Sequence, residues 1–252
     1  MKILKNAFVA LSICSVLIAC SNDDDNEEKT GSVVIEFSNI VKDNPLALEK
    51  VAYMNQSEES YTVSIFRYIL SNIVLTKENG DEFTYPVEES YFLINEEEAE
   101  SKKITLTDIP AGTYTKISFG VGIPQSTFPL EGANFIPKAE ENNMIWSWTA
   151  GYQFVKLEGF YTTEANPEQK DFKFHIGSHG TNLDNYREVD LNISQKLQVE
   201  GNDTVASLLI NADVAKIFDG VESHSLEVKN DIQVDPLSPK IAANIQTMFS
   251  IP

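Results

Sequence analysis

Short apolar runs that alternate with polar residues recur along this chain, and turn-forming residues close each one. A period of two buries one face of a strand, whereas a helix needs apolar residues three and four apart. The patterning therefore predicts an all-β architecture. Val33–Phe37 reads as a first strand and Tyr61–Thr76 as a long second one, ending at Glu78-Asn79-Gly80-Asp81. Asn-Gly between two strands is a strong hairpin signal, because both residues tolerate the positive φ of a tight turn. Phe83–Val87, Tyr91–Ile94 and Lys103–Leu106 follow, then Thr113–Val121 after the turn Pro110-Ala111-Gly112. Met144–Tyr161 is a long aromatic run with a break at Gly151; Asp171–Ile176, Glu188–Ser194 and Val205–Ala212 complete the set. Strands at this spacing predict a single all-β domain over residues 32–252, an antiparallel sandwich or a barrel. Two short helices are expected near the C-terminus: Asp213–Phe218, and Pro239–Met248 with Ser238 as N-cap and Pro239 at N1. Gln125–Asn143 has no period and reads as a long loop; Glu96–Glu100, four Glu around one Ala, reads as a solvated one.

The first nineteen residues read as an address. Lys2 and Lys5 precede an apolar stretch, Ala7–Ile18, and the segment ends Leu17-Ile18-Ala19-Cys20. This is a secretory signal, too short to span a bilayer as a helix. Its end resembles a bacterial lipobox, which implies that Cys20 is acylated and begins the mature protein. Residues 20–31 are then a lipidated Cys and an acidic tether. Ser21–Thr30 holds five acidic residues and no apolar one. It resembles the stretch after the lipidated Cys in Bacteroidetes lipoproteins carried to the outer face of the outer membrane. An outer-membrane lipoprotein, exposed at the cell surface and held through Cys20, is the expectation. The lipid must supply attachment, because a net charge of −19 argues against a polybasic membrane patch and against nucleic acid. Both Cys lie in the first twenty residues, so neither a disulfide framework nor a Cys-based zinc site is expected.

There is no Gly-x-Ser-x-Gly, no phosphate loop, no His-Glu-x-x-His and no Asp-x-Asp-x-Asp-Gly calcium loop. The chain reads as a non-enzyme. Of its three His, two sit in Phe174-His175-Ile176-Gly177-Ser178-His179-Gly180. On a strand, His175 shares a face with Lys173, opposite Phe172, Phe174 and Ile176. His179 falls in the loop after Gly177. Two imidazoles four residues apart across a glycine turn can meet at one metal, since imidazole suits copper and zinc. The plainer alternative is two surface His at a strand end. His224, among the polar residues Glu222–Ser225, reads as a surface residue. Trp146 and Trp148 are the two Trp of the chain and share one face of a strand. Such a pair makes a core, an interface or a sugar-stacking platform.

Met144-x-Trp146-x-Trp148-x-x-Gly151-Tyr152-x-Phe154-x-Lys156-x-Glu158-Gly159 resembles the signature of the MbnP-like family, secreted copper-binding proteins also found as lipoproteins across Bacteroidetes. Phe66–Leu75, Ile109–Tyr114, Phe119–Pro124, Phe174-His175-Ile176-Gly177 and Ala242-Ala243-Asn244-Ile245 with Met248-Phe249 agree with it in order. The resemblance covers about residues 32–250. It implies a β-sandwich and, in the family's copper-binding branch, a mononuclear site with His ligands. A nearby Trp is there oxidised to kynurenine by a dihaem partner enzyme similar to MauG and cytochrome c peroxidases. Carried onto this chain, His175 is the candidate ligand and Trp146 or Trp148 the candidate oxidised or ligating Trp, with His179 or His224 as the candidate to stand in for a further His. The first strand, Val33–Asn39, lacks the His of that branch, and Ser250-Ile251-Pro252 rather than a His-rich strand follows Met248-Phe249. The competing reading is a copper-less surface lipoprotein that binds glycan or protein through the Trp pair.

Overall fold

The computed structural model describes residues 29–124, 139–147, 151–178, 183–201 and 204–252. Cys20, Trp148, His179 and most of the segment read as a long loop lie outside the described residues. The longer strands are β1 (Thr30–Val41), β4 (Ser60–Lys77), β7 (Lys103–Pro110), β8 (Gly112–Val121), β10 (Gly151–Thr162), β11 (Lys170–Gly177), β12 (Arg187–Val199) and β13 (Val205–Asp213). Shorter ones are β2 (Asn44–Pro45), β3 (Tyr53–Met54), β5 (Glu82–Thr84), β6 (Tyr91–Asn95), β9 (Ile145–Ser147), β14 (Asp231–Ile232) and β15 (Phe249–Ser250). The expected hairpin forms: β4 turns back into β5, with Gly80 at φ 93°, where a side chain would be strained. The aromatic run splits into β9 and β10, which pair across the break.

One sheet runs β15-β13-β1-β2, with β7 also on β1; the other runs β12-β8-β4-β10-β11-β14, with β3, β5 and β6 on β4 and β9 on β10. This is the expected β-sandwich; among the described residues most of its strand pairs are antiparallel and two are parallel. β1 lies parallel to β13 from Ser32↔Val205 to Ile40↔Asp213, and β11 parallel to β14. Parallel neighbours need long crossovers, which the local pattern does not encode. Between the sheets lies the main core. Phe37 of β1 meets Tyr68 of β4 and Phe119 of β8 edge to face, at 6.2 Å in each case. Ile69, between Tyr68 and Leu70 on β4, belongs instead to a second cluster with Ile123, Ala139, Met144, Tyr152 and Phe154. Alternation places that cluster on the outer face of the larger sheet.

Two α-helices form where expected, α1 (Ala215–Asp219) and α2 (Ser238–Gln246). The cap of α2 differs. Leu237 occupies the cap position, and its N–H donates to Asp235 Oδ1 at 2.8 Å. Ser238 lies inside the helix and accepts from Asn185 Nδ2 at 3.1 Å, a long-range bond that no local signal predicts. The Glu96–Glu100 stretch is not simply a solvated loop. Residues 99–102 make a 3₁₀ turn, and Glu96 accepts from Asn39 Nδ2 at 2.9 Å and from Lys102 Nζ at 3.0 Å. Pro86 shortens the predicted Phe83–Val87 strand to β5, because a ring without an N–H cannot continue the ladder. Among the described residues no helix is long and apolar enough to cross a membrane.

Candidate functional site

β4, β10 and β11 are adjacent, and their registers align one cross-strand row: Asn95 of β6 with Arg67, Arg67 with Lys156, and Lys156 with His175. Directly opposed residues project to the same side of a sheet. The inner neighbours Phe66, Tyr68, Val155, Leu157, Phe174 and Ile176 are all core, so the row occupies the outer face. His175 thus lies on the face expected for it, shared with Lys173 and opposite Phe172, Phe174 and Ile176.

This face is not open. The segment that leads into β9 covers Arg67 and Asn95. Arg67 Nη1 donates to the Asn142 carbonyl at 2.6 Å, and Asn95 Nδ2 donates to Asn142 Oδ1 at 2.9 Å. Arg67 Nη2 also pairs with Glu97. Beside them, His175 Nε2 lies 2.7 Å from Glu158 Oε1, and Lys156 Nζ lies 3.4 Å from that same oxygen. The His175, Glu158 and Lys156 side chains are 12%, 21% and 11% exposed, so these polar groups depend on one another rather than on water. Burial would raise the Glu158 carboxyl, but the bond with His175 and the Lys156 charge outweigh it and hold the group below its ordinary range.

Trp146 of β9 completes the neighbourhood. Its ring lies against Gly177: a methyl on that glycine would come within 2.9 Å of Trp146 Cζ3 and 3.0 Å of Cη2. Gly177 is two residues from His175 and faces the same side of β11. A glycine here lets the indole seat directly on the strand backbone. Trp146 is half-buried rather than an exposed plate. The structure brings His175 and Trp146 to one face; His179 and Trp148, expected beside them, are outside the described residues.

His224 corrects its reading as a surface residue. It is 4% exposed, its Nε2 lies 2.7 Å from the Lys229 carbonyl, and its ring meets Phe174 edge-on at 5.2 Å. Burial pulls its pKa below the ordinary value. It sits under the inner face of β11 and holds a loop. Sequence reasoning also missed Glu158 and Lys156 as site residues. Their spacing of two, which puts both on one face of a strand, was the available signal; that this face meets His175 comes from the register.

As a metal centre, the described residues supply an incomplete donor set. None of them form a group of three or more His, Cys, Asp or Glu placed to share a metal. What is present is one imidazole held by a carboxylate, the arrangement that ligating His usually shows. Two buried amide oxygens near Gly177, Gln153 Oε1 and Asn185 Oδ1, have no hydrogen-bond partner among the described residues. Gln153 is opposite Gly177 in the ladder, and Asn185 Nδ2 donates to the Gly177 carbonyl.

Fold and site together define a two-sheet β-sandwich protein with a tryptophan hairpin laid over a His-x-Gly strand. The family model for MbnP matches residues 30–238, and the chain belongs to the MbnP family. It resembles the solved structure of MbnP from Methylosinus trichosporium with a TM-score of 0.56 and 16% identity, over 85% of this chain and 87% of that one. At that identity the likeness speaks for the fold alone. No curated protein matches the chain.

Proposed function

We propose that this protein is a copper-binding lipoprotein of the bacterial cell envelope, with His175 as its imidazole ligand. The observation that carries the reading is the seating of Trp146 on Gly177, on the face of β11 that bears the Glu158-held His175. A sugar-stacking platform would leave the indole exposed and His175 unengaged. Copper in its divalent state takes several nitrogen or oxygen donors. His175 supplies one, and His179, four residues on, is the first residue to test as the next. Trp146 or Trp148, oxidised by a dihaem MauG-like partner, adds the aromatic amine of kynurenine. In that oxidation two equivalents of hydrogen peroxide are consumed and two waters released as two oxygen atoms enter and the indole C2–C3 bond breaks; hydrolysis of the resulting formamide then releases formate. Cys20 carries the lipid that holds the protein to the outer membrane, with the domain exposed at the cell surface. The protein itself catalyses no reaction in this scheme.

Copper titration of the processed protein, with bound metal per chain read after desalting, tests the proposal. Near-stoichiometric binding that is lost in His175→Ala supports it. Mass spectrometry of protein from its native host then locates the oxidised Trp. Native protein with intact Trp and no copper would overturn it. The incomplete donor set among the described residues favours the second reading in that case: a copper-less surface module that binds glycan or protein.

A further inference from the structure

We infer that Glu158 is a positioning residue: it holds His175 as the tautomer protonated at Nε2 and leaves Nδ1 as the ligating nitrogen, with Lys156 keeping the carboxylate in place. The inference rests on the reading of His175 as a metal ligand, and it can fail independently of that reading.

The geometry begins with the ladder. Lys156 is directly opposite His175, and Glu158 is opposite Lys173, so Glu158 meets His175 on the diagonal. Diagonal neighbours across an antiparallel pair are about 7–8 Å apart at the backbone, within reach of two long side chains. The contact is closed here, at 2.7 Å. An ionised carboxylate only accepts, so the ring nitrogen that faces it must carry the proton. A neutral imidazole has one proton, and the other nitrogen keeps its lone pair. Without the carboxylate, either nitrogen can carry the proton and the broad χ2 well leaves the ring orientation loose.

Lys156 explains why Glu158 stays an acceptor. Its ammonium is 3.4 Å from the oxygen that His175 uses. The other cations nearby have carboxylates of their own: Arg67 pairs with Glu97, and Lys173 pairs with Asp171 at 3.1 Å. Glu158 therefore serves His175 and Lys156 together. It also cancels a buried positive charge directly across the ladder from His175. Without that cancellation, the Lys156 ammonium would repel a cation arriving at the imidazole.

Long-range proton–nitrogen correlation of the imidazoles, recorded on isotope-labelled processed protein without metal, reads the tautomer. The wild type is expected to show His175 protonated at Nε2, with a lone-pair shift at Nδ1. Glu158→Ala should give mixed tautomers and lower copper affinity about 10–100-fold, the usual cost of losing such a partner. Glu158→Gln, which keeps an acceptor oxygen, should restore the tautomer. A wild-type His175 protonated at Nδ1 would overturn the inference without any variant being made. So would a Glu158→Ala protein with the wild-type spectrum, or one with mixed tautomers and unchanged copper affinity. Copper binding that survives His175→Ala sinks the ligand assignment and leaves the tautomer result to stand by itself.

Discussion

Replacing Gly177 by alanine tests the contact on which the functional reading depends. A methyl there would point at two groups at once. The Tyr152 carbonyl oxygen lies closer than 3.0 Å to the new carbon, and Trp146 Cζ3 lies at 2.9 Å. The carbonyl belongs to the β10 backbone and cannot swing aside. The indole can yield by turning off the strand or by lifting β9 from β10, which pair at Gly151↔Ser147 and Tyr152↔Ile145. Overpacking of this kind costs about 1–3 kcal/mol. For a chain of this size each kcal/mol lowers the melting temperature by roughly 2–4 °C. Gly177→Ala should therefore unfold several degrees early, with a changed Trp emission. The informative form is a double-mutant cycle with Trp146→Ala, followed by urea unfolding. Without the indole one of the two clashes is gone, and the alanine penalty should shrink by at least about 0.5 kcal/mol. A penalty independent of Trp146, or none at all, would refute the placement of the ring on β11.

Other expectations concern stability. Glu59 is 2% exposed and accepts from Asn55 Nδ2, Ser225 Oγ, Leu226 N and Glu227 N at 2.6–2.8 Å. Glu59→Ala strips buried donors of their acceptor and should cost about 2–4 kcal/mol in urea unfolding. Burial would raise the Glu59 carboxyl, but these bonds hold it below its ordinary 4.5. Its contribution is thus present above pH 4.5 and lost as pH falls through the folded value, so Glu59→Gln should flatten the acid limb of stability against pH. His224 acts on a higher window. Burial lowers its folded pKa from 6.5, so the unfolded chain takes the proton first. Stability should fall as pH drops below about 6.5, and His224→Gln should remove that slope while costing some stability at neutral pH.

Much of the architecture was open to sequence reasoning, and the reason is specific. Alternation in Val33–Phe37, Tyr61–Thr76 and Asp171–Ile176 marks strands and tells which face is buried, because a strand's side chains alternate by geometry alone. His175 was placed on the outer face of β11 by that rule. The Asn79-Gly80 turn and the two C-terminal helices followed from local backbone preference in the same way. None of this says which strands are neighbours. The parallel contact of β1 with β13 joins residues more than 170 positions apart. The burial of His224 under Phe174, and the capture of Ser238 by Asn185, come from loops folding back onto distant strands.

The site divides along the same line. By itself the sequence determined the residue types, the strand that carries His175, the shared face of Lys156 and Glu158, and the motif that marks the family. Tertiary structure alone decided that Glu158 reaches His175, that Lys156 serves the same oxygen, and that Trp146 rests on Gly177. Periodicity is a property of one strand and is written in consecutive residues. Register between strands is chosen by the burial of two whole sheet faces against each other, and side-chain partners are known only once that choice is made.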